Sequence, residues 1–434
     1  MNFGKAKKHV ELLAPAGSPE KLKYAICYGA DAVYCGLPDF SMRRRINTFS
    51  EKSLAEAVKF LHAKNKKIYV TVNTYPHNDQ LSFIAKHLKF LEKIKVDAVI
   101  ISDPGVLELA KKYSPGIPIH LSTQANAINW RAVKFWVGRG VERIILAREV
   151  TLSEIKEIHE KIPEAELECF VHGAMCMSYS GRCILSQWTS GRSANLGNCA
   201  QPCRWRYRAT NNSQLTTGNN IFMMSVEDEK REFEIDLEED KNGTYFFNSK
   251  DLNLLSHLDK LKKAGITSFK IEGRNKSVYY VAIAARAYRK VLDAMDKKLP
   301  KKKLGQIIEA QQKELDKLVH RGYTSGFLFG RDPKHNFKKS HEKCHYEFVG
   351  EVIKTSGKTI TVQVHNAIYP WDKLEIIDPD KNIAVKIKKI LDQNKKEVKS
   401  AHGGHSKLYY FKIDKEKIKP ASLLRRVVKI AKAG

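Results

Sequence analysis

Between Cys169 and Arg208 the chain reads CFVHGAMCMSYSGRCILSQWTSGRSANLGNCAQPCRWRYR. Four of its cysteines, Cys176, Cys183, Cys199 and Cys203, form a C-x6-C-x15-C-x3-C set. Thiolates in fours bind soft metals. An iron–sulfur cluster takes four, and structural zinc also takes four, usually as two tight pairs. One tight pair is present here, so a cluster ranks first and zinc second. The segment carries five arginines and no acidic residue, and such cations offset the negative charge of a metal held by four thiolates. Burial as small hydrophobes is the other use of free thiols, but the Gly, Arg and Asn neighbours of this set argue against it. Cys169, inside an apolar run, reads as core, Cys27 and Cys35 as core or strand-end thiols, and Cys344 as an interdomain residue.

The same segment interleaves charge with rings at Arg204, Trp205, Arg206, Tyr207 and Arg208, and again in WTSGR, which ends at Arg192. Nucleobases stack on rings while guanidiniums meet phosphates. The strip therefore reads as an RNA contact beside a redox centre, with packing into a domain rim as its plain alternative. Further candidates stand where apolar runs stop. Arg148 and Arg274 suit an anionic substrate, because the guanidinium fork matches carboxylates and phosphates. His172 could move a proton, and Glu272 lies two residues before Arg274. These four are the candidate catalytic residues.

These residues need a scaffold. Apolar strand-like runs alternate with helical spacing through the first 300 residues: Leu12 to Ala16, DAVYCG, KIYVTVNTY, VDAVIIS, PIHLST, ERIILA, LECFVHG and, much later, TSFKIEG. Eight strand–helix units predict a TIM-like (β/α)8 barrel. A doubly wound open sheet is the alternative, but the first strand is followed by GSPE rather than a dinucleotide-binding glycine pattern. In a barrel the active site lies at the C-terminal ends of the strands, where the candidates stand. The Cys-rich loop and a polar hairpin region form a long insertion at about 173–250 within a catalytic domain of 1–340. A basic, Pro-broken run at 297–303 and a helix follow. Residues 341–434 show period-two alternation and predict a small β-barrel. That tail has 20 Lys and Arg against 11 Asp and Glu, which suggests an RNA-binding module.

The 434 residues, 42% hydrophobic and 29% charged, exclude a disordered, collagen-like or disulfide-stapled chain. With 76 Lys and Arg against 48 Asp and Glu, the net charge is +28. Such an excess points to a polyanionic partner. The N-terminus lacks the apolar run of a signal peptide and no stretch is long enough to span a bilayer, so a cytoplasmic, membrane-free protein with reduced thiols is expected.

The segment LECFVHGAMCMSYSGRCILS, with ELLAPAG, DAVYCG and NSKDL followed by FKIEGR, resembles the collagenase-like peptidase family over about residues 10–340, and the tail is similar to that family's usual C-terminal domain. No HExxH, GxSxG or Ser-His-Asp set accompanies the resemblance. The more similar branch is that of the tRNA 5-hydroxyuridine synthases. It implies hydroxylation at C5 of the wobble uridine in a tRNA anticodon stem-loop, without molecular oxygen and with prephenate as co-substrate. It also implies a 4Fe–4S cluster on Cys176, Cys183, Cys199 and Cys203. Two sister branches are compared: ribosomal RNA cytidine hydroxylases are usually longer, and ubiquinone hydroxylases are usually shorter and lack the basic tail. A collagen-directed peptidase and a non-catalytic RNA chaperone are the remaining readings.

Overall fold

The structure, a computed structural model, describes residues 10–41, 47–175, 249–330, 344–404, 407–415 and 418–428. It also describes Ser180, Ser186, Ser190, Arg192, Cys199, Ala200 and Glu342, and the backbone of 207–209, 222–228 and 234–239. Seven strands come first: β1 (Glu11–Pro15), β2 (Ala32–Cys35), β3 (Lys67–Val72), β4 (Ala98–Ile101), β5 (Ile119–Leu121), β6 (Arg143–Ile145) and β7 (Glu166–Ala174). They pair in parallel, each with its successor. Helices α1 (Pro19–Cys27), α2 (Glu51–His62), α3 (Leu81–Ile94), α4 (Pro104–Tyr113), α5 (Trp130–Val137) and α6 (Leu152–Lys161) connect them. Several helices start on a side chain placed for it: Ser18 before Pro19, Asp103 before Pro104, and the Thr151–Glu154 capping box. Such a cap satisfies an amide that the first turn leaves open, worth about 1 kcal/mol.

Three strands then intervene. β8 (Tyr207–Ala209), β9 (Phe222–Asp228) and β10 (Glu234–Glu239) form an antiparallel sheet of their own. β11 (Asp251–Asn253) returns antiparallel to β7. β12 (Ile266–Ile271) pairs in parallel with β7 on one side and with β1 on the other. That double pairing closes an eight-stranded barrel and excludes the doubly wound sheet. α7 (Leu258–Lys263), α8 (Val278–Asp296), α9 (Lys301–Leu315) and β13 (Tyr323–Thr324) follow. The basic run at 297–303, read as a break before a helix, supplies the first turn of α9 from Lys301 onward. Cys27, expected in the core or at a strand end, instead ends α1 and is exposed.

Seven strands build the C-terminal sheet: β14 (Tyr346–Ser356), β15 (Thr359–Val364), β16 (Leu374–Ile377), β17 (Asn382–Val385), β18 (Ile387–Leu391), β19 (Leu408–Ile413) and β20 (Leu423–Val427). Their order is β17-β16-β20-β14-β15-β19-β18. The two edge strands are consecutive in the chain with Lys386 alone between them, so the sheet curls into a half-barrel. It has its own apolar core around Val352, Ile360, Val362, Ile376 and Phe411.

The half-barrel is bolted to α1, α8 and α9. Tyr28 Oη donates to the Ile377 carbonyl at 2.7 Å, and Tyr279 stacks on Phe348 at 5.5 Å. Arg286 donates to the Asp378 carbonyl and to Asn382 Oδ1, each at 2.7 Å. Arg425, fully buried, lies 3.0 Å from Glu314 and 2.6 Å from Glu375, and also donates to Tyr279 Oη. α8 is buried on nearly every side over Val278–Tyr288, which explains its almost continuous run of apolar and small residues.

Candidate functional site at the barrel mouth

The barrel interior is charged. Glu11 on β1 meets Arg143 on β6 at 2.6 Å, across the lumen rather than between neighbouring strands. Arg143 also lies 3.2 Å from Glu168 of β7 and 3.0 Å from Glu166. Tyr69 Oη donates to Glu11 at 2.6 Å, and Ser268 Oγ donates to Glu11 at 2.9 Å. Barrels of this kind are usually filled by branched apolar side chains. Here a buried ionic lattice fills the lower half, and each charge within it has a partner.

Lys270 of β12 carries the lattice upward. Its Nζ lies 2.8 Å from Glu168, 4.3 Å from the centre of the Tyr34 ring and 5.5 Å from that of Phe170. Burial pulls its pKa below the usual lysine range, against the opposing pull of Glu168. Tyr34 Oη donates to the Ile271 carbonyl at 3.0 Å and to Glu272 at 3.2 Å. Burial, reinforced by Glu272, pushes the Tyr34 hydroxyl well above its ordinary value, so it remains a donor.

The mouth lies above this. Glu272 is 3.8 Å from Arg148, whose guanidinium covers the Phe170 ring at 4.1 Å. Arg148 Nε is buried and has no hydrogen-bond partner among the described residues. Arg274 donates to Ser41 at 2.8 Å and to Thr71 at 3.2 Å. Gly36 makes room for this arrangement, since a Cβ there would stand 2.2 Å from Thr71 Oγ1. A polar group from β3 to β5 completes the rim: Gln124 Oε1 accepts from Asn73 Nδ2 at 2.7 Å and from Ser102 Oγ at 3.2 Å. Asp103, another strand-end residue, caps α4.

Three of the four candidate catalytic residues, Arg148, Glu272 and Arg274, thus gather around Tyr34 at the C-terminal ends of the strands. His172 lies apart, buried among the rings of Tyr280, Tyr288 and Tyr323 at 5.5–5.7 Å, with Tyr288 Oη 3.4 Å from its Nδ1. Burial lowers its pKa to about 3, so the ring is neutral. Gly173 beside it has φ +112°, and a Cβ would stand 2.4 Å from the Glu272 carbonyl. Tyr34, Thr71, Phe170 and Lys270 do not stand out in the sequence. Their signal was a polar or aromatic residue alternating with apolar ones inside a strand.

The cysteine segment departs from this mouth. Cys176 follows Met175 at the end of β7. Ser180, between Cys176 and Cys183, donates its amide to Glu149 at 2.9 Å and its hydroxyl to the same carboxylate at 3.0 Å. Farther along, Arg192 Nη2 donates to the Cys199 carbonyl at 3.2 Å. Cys176, Cys183, Cys203, Arg204, Trp205 and Arg206 lie outside the described residues, and so do the side chains of Tyr207 and Arg208. Among the described residues no three His, Cys, Asp or Glu side chains are placed to share a metal ion. Two observations fit a four-thiolate centre: the segment is tied to the mouth through Glu149, and a guanidinium stands beside one of its cysteines. Elsewhere, Cys169 and Cys35 are buried, with thiols pushed upward by burial. The Cys344 thiol reaches the Lys317 and Tyr346 carbonyls, between the domains as expected.

No helix among the described residues is long and apolar enough to cross a membrane.

Comparison with known proteins covers both domains. The family described as Peptidase family U32 matches residues 17–338, and its C-terminal domain matches residues 345–425. A Haemophilus influenzae protein named tRNA hydroxylation protein P is 40% identical over 91% of this chain and 92% of its own length. An Escherichia coli 23S rRNA 5-hydroxycytidine synthase is 34% identical over 85% of this chain and 52% of its own. A Porphyromonas gingivalis collagenase is 32% identical over 74% of each.

Proposed function

The chain belongs to peptidase family U32, and from that membership we propose that it hydroxylates tRNA, adding oxygen at C5 of the wobble uridine of the anticodon stem-loop. The observation that carries this reading is the 40% identity to a tRNA hydroxylation protein, which extends through 91% of the chain and so includes the half-barrel as well as the barrel. The basic charge of both parts agrees with it, since phosphate neutralisation supplies much of nucleic-acid affinity.

In this reading the reaction is oxygen-independent, with prephenate, a dicarboxylate, as co-substrate. Arg148 and Arg274 would offer two guanidiniums to its carboxylates, and the buried Arg148 Nε is a donor without a partner among the described residues. Ser41 and Thr71 fix the Arg274 fork from below. The Tyr34 hydroxyl orients Glu272, which holds Arg148 in place. Cys176, Cys183, Cys199 and Cys203 would hold a 4Fe–4S cluster, with zinc the second choice, and the cluster would supply one-electron chemistry beside the base. Arg192, Arg204, Trp205, Arg206, Tyr207 and Arg208 would hold the extruded uridine and its phosphates, and a cytoplasmic location follows from a tRNA substrate.

Mass spectrometry of tRNA nucleosides tests the activity. Deleting the gene removes 5-hydroxyuridine derivatives, and the wild-type gene restores them whereas the Cys183→Ala gene does not. Unchanged nucleosides in the deletion strain refute the reading. Collagen cleavage by the purified protein, with no effect on tRNA, would favour the activity named for the Porphyromonas relative.

A further inference from the structure

The half-barrel carries an aromatic pair that its own core does not use. Trp371 is 75% exposed, the most exposed of the large apolar side chains described. Tyr369 stacks on it, with ring centres 5.1 Å apart and planes within 14°. Tyr369 is in turn met edge-on by His402 at 6.3 Å. One face of the indole is therefore covered, and the exposure leaves the other open.

The loop that presents these rings is held firmly. Ile368 and Ala401 exchange both backbone hydrogen bonds, at 2.8 and 2.9 Å. Arg426 donates to the Ala367 carbonyl at 2.7 Å and to Asp372 at 3.2 Å, and Asp372 also accepts from the Tyr369 amide at 2.9 Å. Asp372 is thereby neutralised. The exposed neighbour Lys373 has no carboxylate partner among the described residues, in a domain with nine more cationic than anionic side chains. A rigid stack with one free face and a cation beside it matches an unpaired nucleotide: the base continues the stack and the phosphate meets the ammonium.

The placement agrees. Helices of the barrel begin at its C-terminal face, so Tyr279, in the first turn of α8, marks the level of the mouth. Tyr279 stacks on Phe348, whose carbonyl accepts from Asn366 Nδ2 at 2.8 Å. Leu374, three residues after Trp371, pairs with Arg426, which pairs in turn with Glu347 beside Phe348. The platform is thus at the Phe348 end of the half-barrel.

We propose that Trp371 and Tyr369 form a base-stacking anchor for an unpaired nucleotide of the RNA substrate, separate from the nucleotide that reacts. This inference rests on the tRNA reading above. Its test is fluorescence anisotropy with a labelled, unmodified tRNA transcript and the full-length protein at several salt concentrations. Trp371→Ala weakens binding roughly tenfold, the share of one stacked base, without changing the salt slope. Trp371→Phe stays within about threefold of wild type, because a ring is kept. Lys373→Ala lowers the slope of log affinity against log salt by about one phosphate contact. Wild-type affinity in Trp371→Ala, with wild-type melting, overturns the anchor and leaves the tRNA reading standing. Failure of the wild-type protein to bind tRNA overturns both. Wild-type self-association that is lost in Trp371→Ala, with tRNA affinity unchanged, overturns the anchor in favour of a contact between copies.

Discussion

At the scale of single residues, burial decides which groups carry charge. His172 and His87 are enclosed, and burial lowers each to about 3. His120 is lowered by burial as well, reinforced by Arg143. The folded protein therefore refuses protons that the unfolded chain accepts near the ordinary histidine value of about 6.5. Stability is lost as pH falls from there toward 3, each histidine contributing a slope of about 1.4 kcal/mol per pH unit. Urea unfolding at stepped pH checks this: His172→Phe flattens the acid slope by one proton, and an unchanged slope refutes the assignment. Arg148, Glu272 and Arg274 were legible in sequence because each stands where an apolar run ends. Tyr34 and Lys270 were not, because each sits inside a strand and shows its role only when the lumen brings it against Glu272 or Glu168. The same holds for Glu11 and Arg143, partners 132 residues apart.

At the scale of elements, the eight barrel strands were legible because each is a short apolar run followed by polar residues and then a helical period. β11 and β13 were not, since Asp251–Asn253 and Tyr323–Thr324 carry no apolar run. β20 was hidden by Arg425 and Arg426, which look like a surface pair, yet it lies between β14 and β16 and buries Arg425 completely. Two fully buried leucines, Leu423 and Leu424, admit it together with the ion pairs of Arg425 at the domain interface. The end of β7 is equally specific. Gly173 adopts a backbone conformation that side chains rarely tolerate, directly against the Glu272 carbonyl. Gly173→Ala costs about 1–3 kcal/mol in strain and displaces Glu272 from Arg148. We expect a lower melting temperature together with loss of tRNA hydroxylation. Retention of both would show that the two strand ends are not rigidly coupled.

At the scale of the whole molecule, barrel and half-barrel share one apolar cluster, to which Ile377 and Leu423 of the half-barrel belong. Arg425 sits at this seam with Glu314 of α9, Glu375 of β16 and Tyr279 of α8. Removing it takes the guanidinium from Glu375 and leaves Glu314 to Arg286 and Lys317, a change worth about 3 kcal/mol, the low end for a broken buried pair. In calorimetry Arg425→Ala therefore splits one unfolding transition into two, the half-barrel melting first; a single unshifted peak refutes the coupling. The closure of the barrel has a different consequence, for biosynthesis. β12 is the keystone between β7 and β1, but it is translated about a hundred residues after β7, behind the whole cysteine-bearing excursion. Until it emerges from the ribosome, the nascent product is an unclosed ribbon with a bare margin at each end, the kind of intermediate that aggregates. The excursion is therefore made, and any metal on it can be loaded, before the vessel beneath it is sealed.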